Sequence, residues 1–126
     1  MEPQTLPPQP YGPIPSPRQL AWHALAFYGF VHFTVNTFTD LEWGRGDESP
    51  ALFQPADFSA DQIAEAAALG GMRGLILTAK HHDGFCLWPS RFTDHSVKHS
   101  PWKNGKGDVV GELAAACREA GLKLGL

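Results

Sequence analysis

The stretch Lys80-His81-His82-Asp83-Gly84-Phe85 sets two imidazoles and a carboxylate directly behind the apolar run Gly74-Leu75-Ile76-Leu77-Thr78-Ala79. That run is short, bounded by glycine and without polar alternation, the pattern of a strand buried on both faces of a parallel sheet. The histidines therefore fall at the carboxyl end of the strand, where α/β sheets and barrels bind their ligands. Imidazoles there donate and accept hydrogen bonds near neutral pH. A second apolar run, Ala26 to Phe33, carries His32 near its end. In the polar loop behind it, Glu42-Trp43 sets a carboxylate beside an aromatic face. Sugars suit that pair, because their CH faces stack on rings and their hydroxyls chelate carboxylates. A surface glutamate beside a loop-anchoring tryptophan would read the same way.

Rival chemistries fit the spacing less well. His32, His81, His82 and Asp83 are acceptable zinc or iron ligand types, so a metal-dependent barrel hydrolase is one alternative. Yet the first run holds no His-x-His, and no HExxH occurs. His95 and His99 have i, i+4 spacing, but Ser96-Val97-Lys98 lies between them and Pro101 follows. No metal site is expected. Adjacent residues on an extended segment point to opposite sides, so His81 and His82 share a pocket only if the chain turns there. No GxSxG is present, and Cys86 lies near histidines but in no CxxC. Cys86 reads as a loop thiol and Cys117 as a core thiol. Lys103-Asn104-Gly105-Lys106-Gly107-Asp108 lacks the GxxxxGK[ST] of a P-loop and reads as a glycine turn leading into a helix cap.

The elements that must position these residues follow from periodicity. The first strand is the Ala26–Phe33 run. Ser59 caps a helix, with Gln62 completing a capping box, Ile63, Ala66, Ala67 and Gly70 lining one face, and Gly70 ending it. The Gly74–Ala79 strand comes next. Asp108 caps a second helix with Val110, Leu113, Ala114 and Cys117 at i, i+3, i+4, i+7, and Gly121 ends it. Leu122 to Leu126 begins a third strand. The order β-α-β-α-β implies parallel strands with helical crossovers. Both strand-to-helix loops run roughly 25 residues while the returning turns are a few, against a usual range of about 2–6. Long loops on one face only mark that face as functional. The Phe85, Trp88, Phe92 and Trp102 side chains are expected mostly to pack the second loop.

The chain has 126 residues, net charge −3 and a pI near 6.0. It has no basic run, which argues against nucleic acid or an anionic membrane surface as a partner. No apolar stretch approaches the roughly 20 residues of a membrane span. Seven prolines fall within the first seventeen residues, so 1–18 reads as an extended arm and 19–126 as the domain proper. No signal pattern is seen at the amino terminus, which makes a cytoplasmic location the default. An incomplete start would allow a periplasmic or secreted one. The chain reads as truncated within its third strand, since a closed eight-stranded barrel needs about 250 residues. The exposed sheet edges of such a fragment favour self-association.

Phe30-Val31-His32-Phe33, Phe38-Thr39-Asp40-Leu41-Glu42-Trp43-Gly44 and Thr78 through Ser90 closely resemble α-L-fucosidases of glycoside hydrolase family 29. Thr93-Asp94-His95-Ser96-Val97, Trp102 through Val110 and Ala120 through Gly125 match as well. The KHHDGF-x-LWPS block is very specific, and the Thr37–Gly44 loop looks like the subgroup that prefers α-1,3/1,4-linked fucose. The resemblance implies the first strands and helices of a (β/α)₈-like, TIM-type catalytic domain, and retaining hydrolysis of terminal α-L-fucose on glycans without a cofactor. By match, His32, Glu42, Trp43, His81 and His82 correspond to the family's fucose-binding positions. The aspartate nucleophile and the acid/base fall on later strands, beyond Leu126, so no catalytic carboxylate is expected here. A non-catalytic carbohydrate-binding relic that keeps these residues is the other alternative.

Overall fold

A reciprocal capping box starts the first helix. The Ser16 hydroxyl accepts from the Gln19 N–H at 3.3 Å, and Gln19 Oε1 accepts from the Ser16 N–H at 2.7 Å. Pro17, whose missing N–H costs nothing at a first helical position, opens α1 (Pro17–His23). The computed structural model describes residues 6–126, so residues 1–5 of the expected arm lie outside the described part. Helix α1 begins inside the stretch read as an arm; proline there acts as a helix starter. Ala26 then turns the chain at φ 55°, and β1 (Gly29–Val31) is shorter than the apolar run that announced it.

Helix α2 (Ala60–Leu69) follows its cap, with the Ser59 hydroxyl accepting from the Gln62 N–H at 3.2 Å. The expected box is half made, because the Gln62 side chain does not return the bond. The buried stripe is Ala60, Ala64 and Ala67 with Ile63 at its margin, whereas Ala66 and Gly70 face water. Gly71, at φ 80°, takes the left-handed position that stops the helix; Gly70 remains right-handed. Strand β2 (Gly74–Leu77) comes next, then α3 (Val109–Glu119), where Asp108 Oδ1 accepts from the Gly111 N–H at 2.9 Å. Val109, Leu113, Ala116 and Cys117 of α3 are buried; Val110 and Ala114 are half-buried. Strand β3 (Lys123–Gly125) is the last element.

The three strands are parallel in the order β1-β2-β3, with Gly29 opposite Leu75 and Leu75 opposite Leu124. Leu75 and Leu77 join the buried core formed with α2 and α3. Phe30 and Ile76, paired across β1 and β2, alternate onto the other face, where Phe30 is 62% exposed. Helix α1 leans over part of that face. A groove of about 280 Å³ between them is lined by Trp22, Leu25, Tyr28, Ile76 and Leu124.

The long connections 32–59 and 78–108 both leave the carboxyl ends of strands. They fold around an aromatic cluster instead of lying loose. Phe33 stacks on Phe58 at 5.5 Å, and Phe53 meets Phe85 at 5.2 Å and Trp102 at 5.6 Å. Phe53, Phe85 and Leu87 are fully buried there. Gly107 is required at its position, because a Cβ would fall 2.1 Å from the Trp102 ring. The site loops thus rest on a packed platform.

Candidate functional site

The strands deliver the histidines to one place. His32 follows β1 immediately, and Thr78 follows β2. The Thr78 N–H donates to the Val31 carbonyl at 3.0 Å, which extends the pairing by one bond and brings the two loop roots together. The chain then turns, with the Gly84 N–H donating to the His81 carbonyl at 3.0 Å and Gly84 at φ 76°. That turn sends the two successive imidazoles to different places, His81 onto the cleft wall and His82 against Trp43. The His32 and His81 rings meet edge-on at 5.6 Å, and those of His81 and His82 at 4.8 Å. His82 is exposed and lies across Trp43, with ring centres 5.0 Å apart and planes 30° apart.

Between these loops is a cleft of about 690 Å³ whose walls include His32, Asn36, Asp40, Glu42, Trp43 and His81. His82 sits behind Trp43 instead of on the wall. The structure therefore brings together all five residues singled out in the sequence. Trp43 is 64% exposed and presents a bare indole face. Glu42 is exposed on the wall, free to accept from a hydroxyl. The ring of His32 stacks on Phe30 at 6.1 Å, and its Nδ1 is 2.9 Å from Thr78 Oγ1. His81 is half-buried, and its Nδ1 is buried without a partner. The cleft offers polar atoms on one side and an apolar face on the other, which suits a small polyhydroxylated ligand.

The loops that form the cleft rest on buried polar groups, a polar floor of which Asp83 alone stood out in the sequence. Asp83 is 2% exposed; one carboxylate oxygen accepts from the Thr34 hydroxyl at 3.0 Å and the other from the Phe85 N–H at 2.6 Å. It ties the loop after β1 to the loop after β2, and both oxygens are taken up in these bonds. Glu48 accepts the N–H groups of Arg45 and Gly46 and so fixes the segment behind Trp43. The Arg45 N–H, joined by that of Gly46, holds the Glu48 carboxyl below its ordinary value, with burial partly opposing. Gly44 is a close-approach position: a Cβ there would fall 2.5 Å from Asn36 Oδ1, 2.6 Å from Glu48 Oε1 and 2.7 Å from Asp83 Cβ. A signal for this floor existed in the sequence. Gly44-Arg45-Gly46 is a tight loop whose amides need an acceptor, and Glu48 is the nearest carboxylate but one.

Other candidates fall outside the cleft. Cys86 and Cys117 are buried free thiols, and burial pushes both pKa values up, away from the reactive thiolate. His99 Nε2 is 3.1 Å from Asp94 Oδ1 on the surface. Lys103 Nζ bonds Glu112 at 2.6 Å, and Asp108 caps α3, so the lysine- and glycine-rich turn is spent on the helix start. Trp88 and the 92% exposed Phe92 do not line the cleft. Among the described residues no group of three or more His, Cys, Asp or Glu is placed to hold a metal ion, and no helix is long and apolar enough to cross a membrane.

The model of the Alpha-L-fucosidase family matches residues 17–126. The chain belongs to the alpha-L-fucosidase family. It is 55% identical over 119 residues to alpha-L-fucosidase 1 of Arabidopsis thaliana, covering 94% of this chain and 24% of that relative. The chain thus spans about a quarter of the length of the curated relatives it matches first. Among solved structures, it resembles a glycoside hydrolase 29 family member from an unknown rumen bacterium, with 57% identity and a TM-score of 0.89. That match covers 92% of this chain and 21% of the other. A Ruminococcus gnavus GH29 fucosidase in complex with fucose matches at 36% identity and a TM-score of 0.80, over 88% of this chain and 23% of that one.

Proposed function

We propose that the full-length protein carrying this chain is a retaining α-L-fucosidase, and that the chain supplies part of its fucose pocket. The observation behind this is the meeting of His32, His81 and the Glu42-Trp43 loop on one cleft in a member of this family. In this reading Glu42 and the histidines hydrogen-bond the sugar hydroxyls and Trp43 packs on its CH face. The ligand is a terminal fucose on a glycan, and the Thr37–Gly44 loop favours α-1,3/1,4 linkages. Retention requires two carboxyl groups about 5–5.5 Å apart, one as nucleophile and one as acid/base. Asp83 is buried with both oxygens bonded, which argues against a nucleophilic role. The pair is therefore assigned to later strands of a (β/α)₈-like barrel, whose remaining staves would cover the Phe30–Ile76 face.

The test is hydrolysis of an aryl α-L-fucoside by the full-length protein, with the product anomer read by proton NMR. Turnover with retained configuration, lost in His81→Ala and untouched by a chelator, supports the reading. Fucose binding without turnover would favour the binding relic. Loss with EDTA, restored by zinc, would favour the metal-dependent hydrolase.

A further inference from the structure

We propose that Thr78 is a positioning residue that holds His32 as its Nε2–H tautomer and so makes it a hydrogen-bond donor to the ligand. His32 Nδ1 lies 2.9 Å from Thr78 Oγ1, and this is the one side-chain hydrogen bond of that hydroxyl among the described residues. A hydroxyl can donate its proton to the imidazole lone pair or accept from an Nδ1–H. Donation gives the O–H hydrogen a partner within the protein; acceptance would leave that hydrogen without one. With Nδ1 the acceptor, the neutral ring carries its proton on Nε2. Phe30, its plane 10° from the imidazole's, and the edge of His81 set the ring plane, and turning the ring over within that plane would put Cδ2 in place of Nδ1 and lose the Thr78 bond. Thr78 is itself fixed by its N–H bond to Val31 across β1 and β2. The nitrogen left for the cleft is therefore Nε2, as a donor.

The complementarity of the wall follows. Glu42 can only accept from the ligand, so a donor on His32 lets the two sides of the cleft engage different oxygens of one sugar. The ligand's identity rests on the fucosidase reading; the tautomer does not.

The test uses the full-length protein labelled with ¹⁵N-histidine. Long-range proton–nitrogen correlation should give His32 the Nε2–H pattern in the wild type. Thr78→Val keeps the shape and removes the hydroxyl. It should convert that pattern to a mixture and raise KM for an aryl fucoside about three- to tenfold with kcat little changed, the effect of one hydrogen bond weakened equally in ground and transition states. Thr78→Ser should restore both readouts. An Nδ1–H pattern in the wild type would overturn the proposal, as would a folded Thr78→Val protein with unchanged tautomer and KM. If Thr78→Val does not fold, the wild-type spectrum decides alone. A wild type with the Nε2–H pattern that binds no fucose supports the tautomer and removes the fucosidase reading.

Discussion

His81 and His82 are neighbours in sequence with different surroundings, and their environments predict different mutational signatures. His81 is half-buried on the cleft wall, so His81→Ala should remove a hydrogen bond and leave a sugar hydroxyl unpaired in a partly dry site. The cost on fucose binding is on the order of 1–3 kcal/mol. Trp43→Ala should weaken binding through lost apolar contact, and should also free His82, which rests on the indole. Calorimetric titration of the full-length protein with fucose checks both; two variants that bind like wild type would remove these residues from the site. Asp83 belongs to the floor and has a structural signature. Thr34→Val deletes the hydroxyl that donates to its buried carboxylate. A carboxylate short of one bond should cost about 1–3 kcal/mol of stability, seen as a lower melting temperature of the full-length protein.

At the scale of elements, the loop 32–59 is braced from within by one carboxylate. Glu48 takes two backbone N–H groups, and its folded pKa lies below the ordinary 4.5. The contribution of Glu48 to stability is thus fully present above pH about 4.5 and is lost as pH falls through the lower folded value. Glu48→Gln should flatten the acid limb of a melting-temperature profile below pH about 4.5, with no such change near neutrality. Unchanged acid limbs would mean that the loop does not depend on this anchor. The strands, both crossover helices and their caps were legible in the sequence because periodicity and capping chemistry are local. Helix α1 was not, because proline at Pro17 reads equally as an arm residue and as a helix start, and only the Ser16–Gln19 pairing separates the two. The histidines and Glu42-Trp43 stood out by type and by place after strands. Thr34 did not, because its partner is brought to it by the tertiary fold; the Thr34–Asp83 bond spans 49 positions. Glu48 was overlooked although its partners, the Arg45 and Gly46 N–H groups, are only three and two residues away.

For the whole molecule, the sheet has two unlike faces. One is covered by α2 and α3, where Leu75 and Leu77 are 4% and 1% exposed; these two leucines are not among the side chains left open by a short sheet, although a three-strand fragment would be expected to expose them. The other face carries Phe30 at 62% exposure beside the half-buried Tyr28, and among the described residues α1 lies partly across it. Parallel sheets are normally buried on both faces, so this face needs a cover. Burying one large apolar side chain is worth about 1.5–3 kcal/mol, and two or three left open are comparable with a small domain's stability of about 5 kcal/mol. The 126-residue polypeptide expressed alone should therefore self-associate or bind a hydrophobic dye such as ANS. Phe30→Ser should reduce dye binding with little effect on the helix-side core, since Phe30 makes no part of that core. Sedimentation velocity and a thermal melt decide the matter. A monomer at micromolar concentration with a sharp cooperative transition and no dye binding would mean that α1 closes the open face more fully than its groove against Ile76 and Leu124 implies.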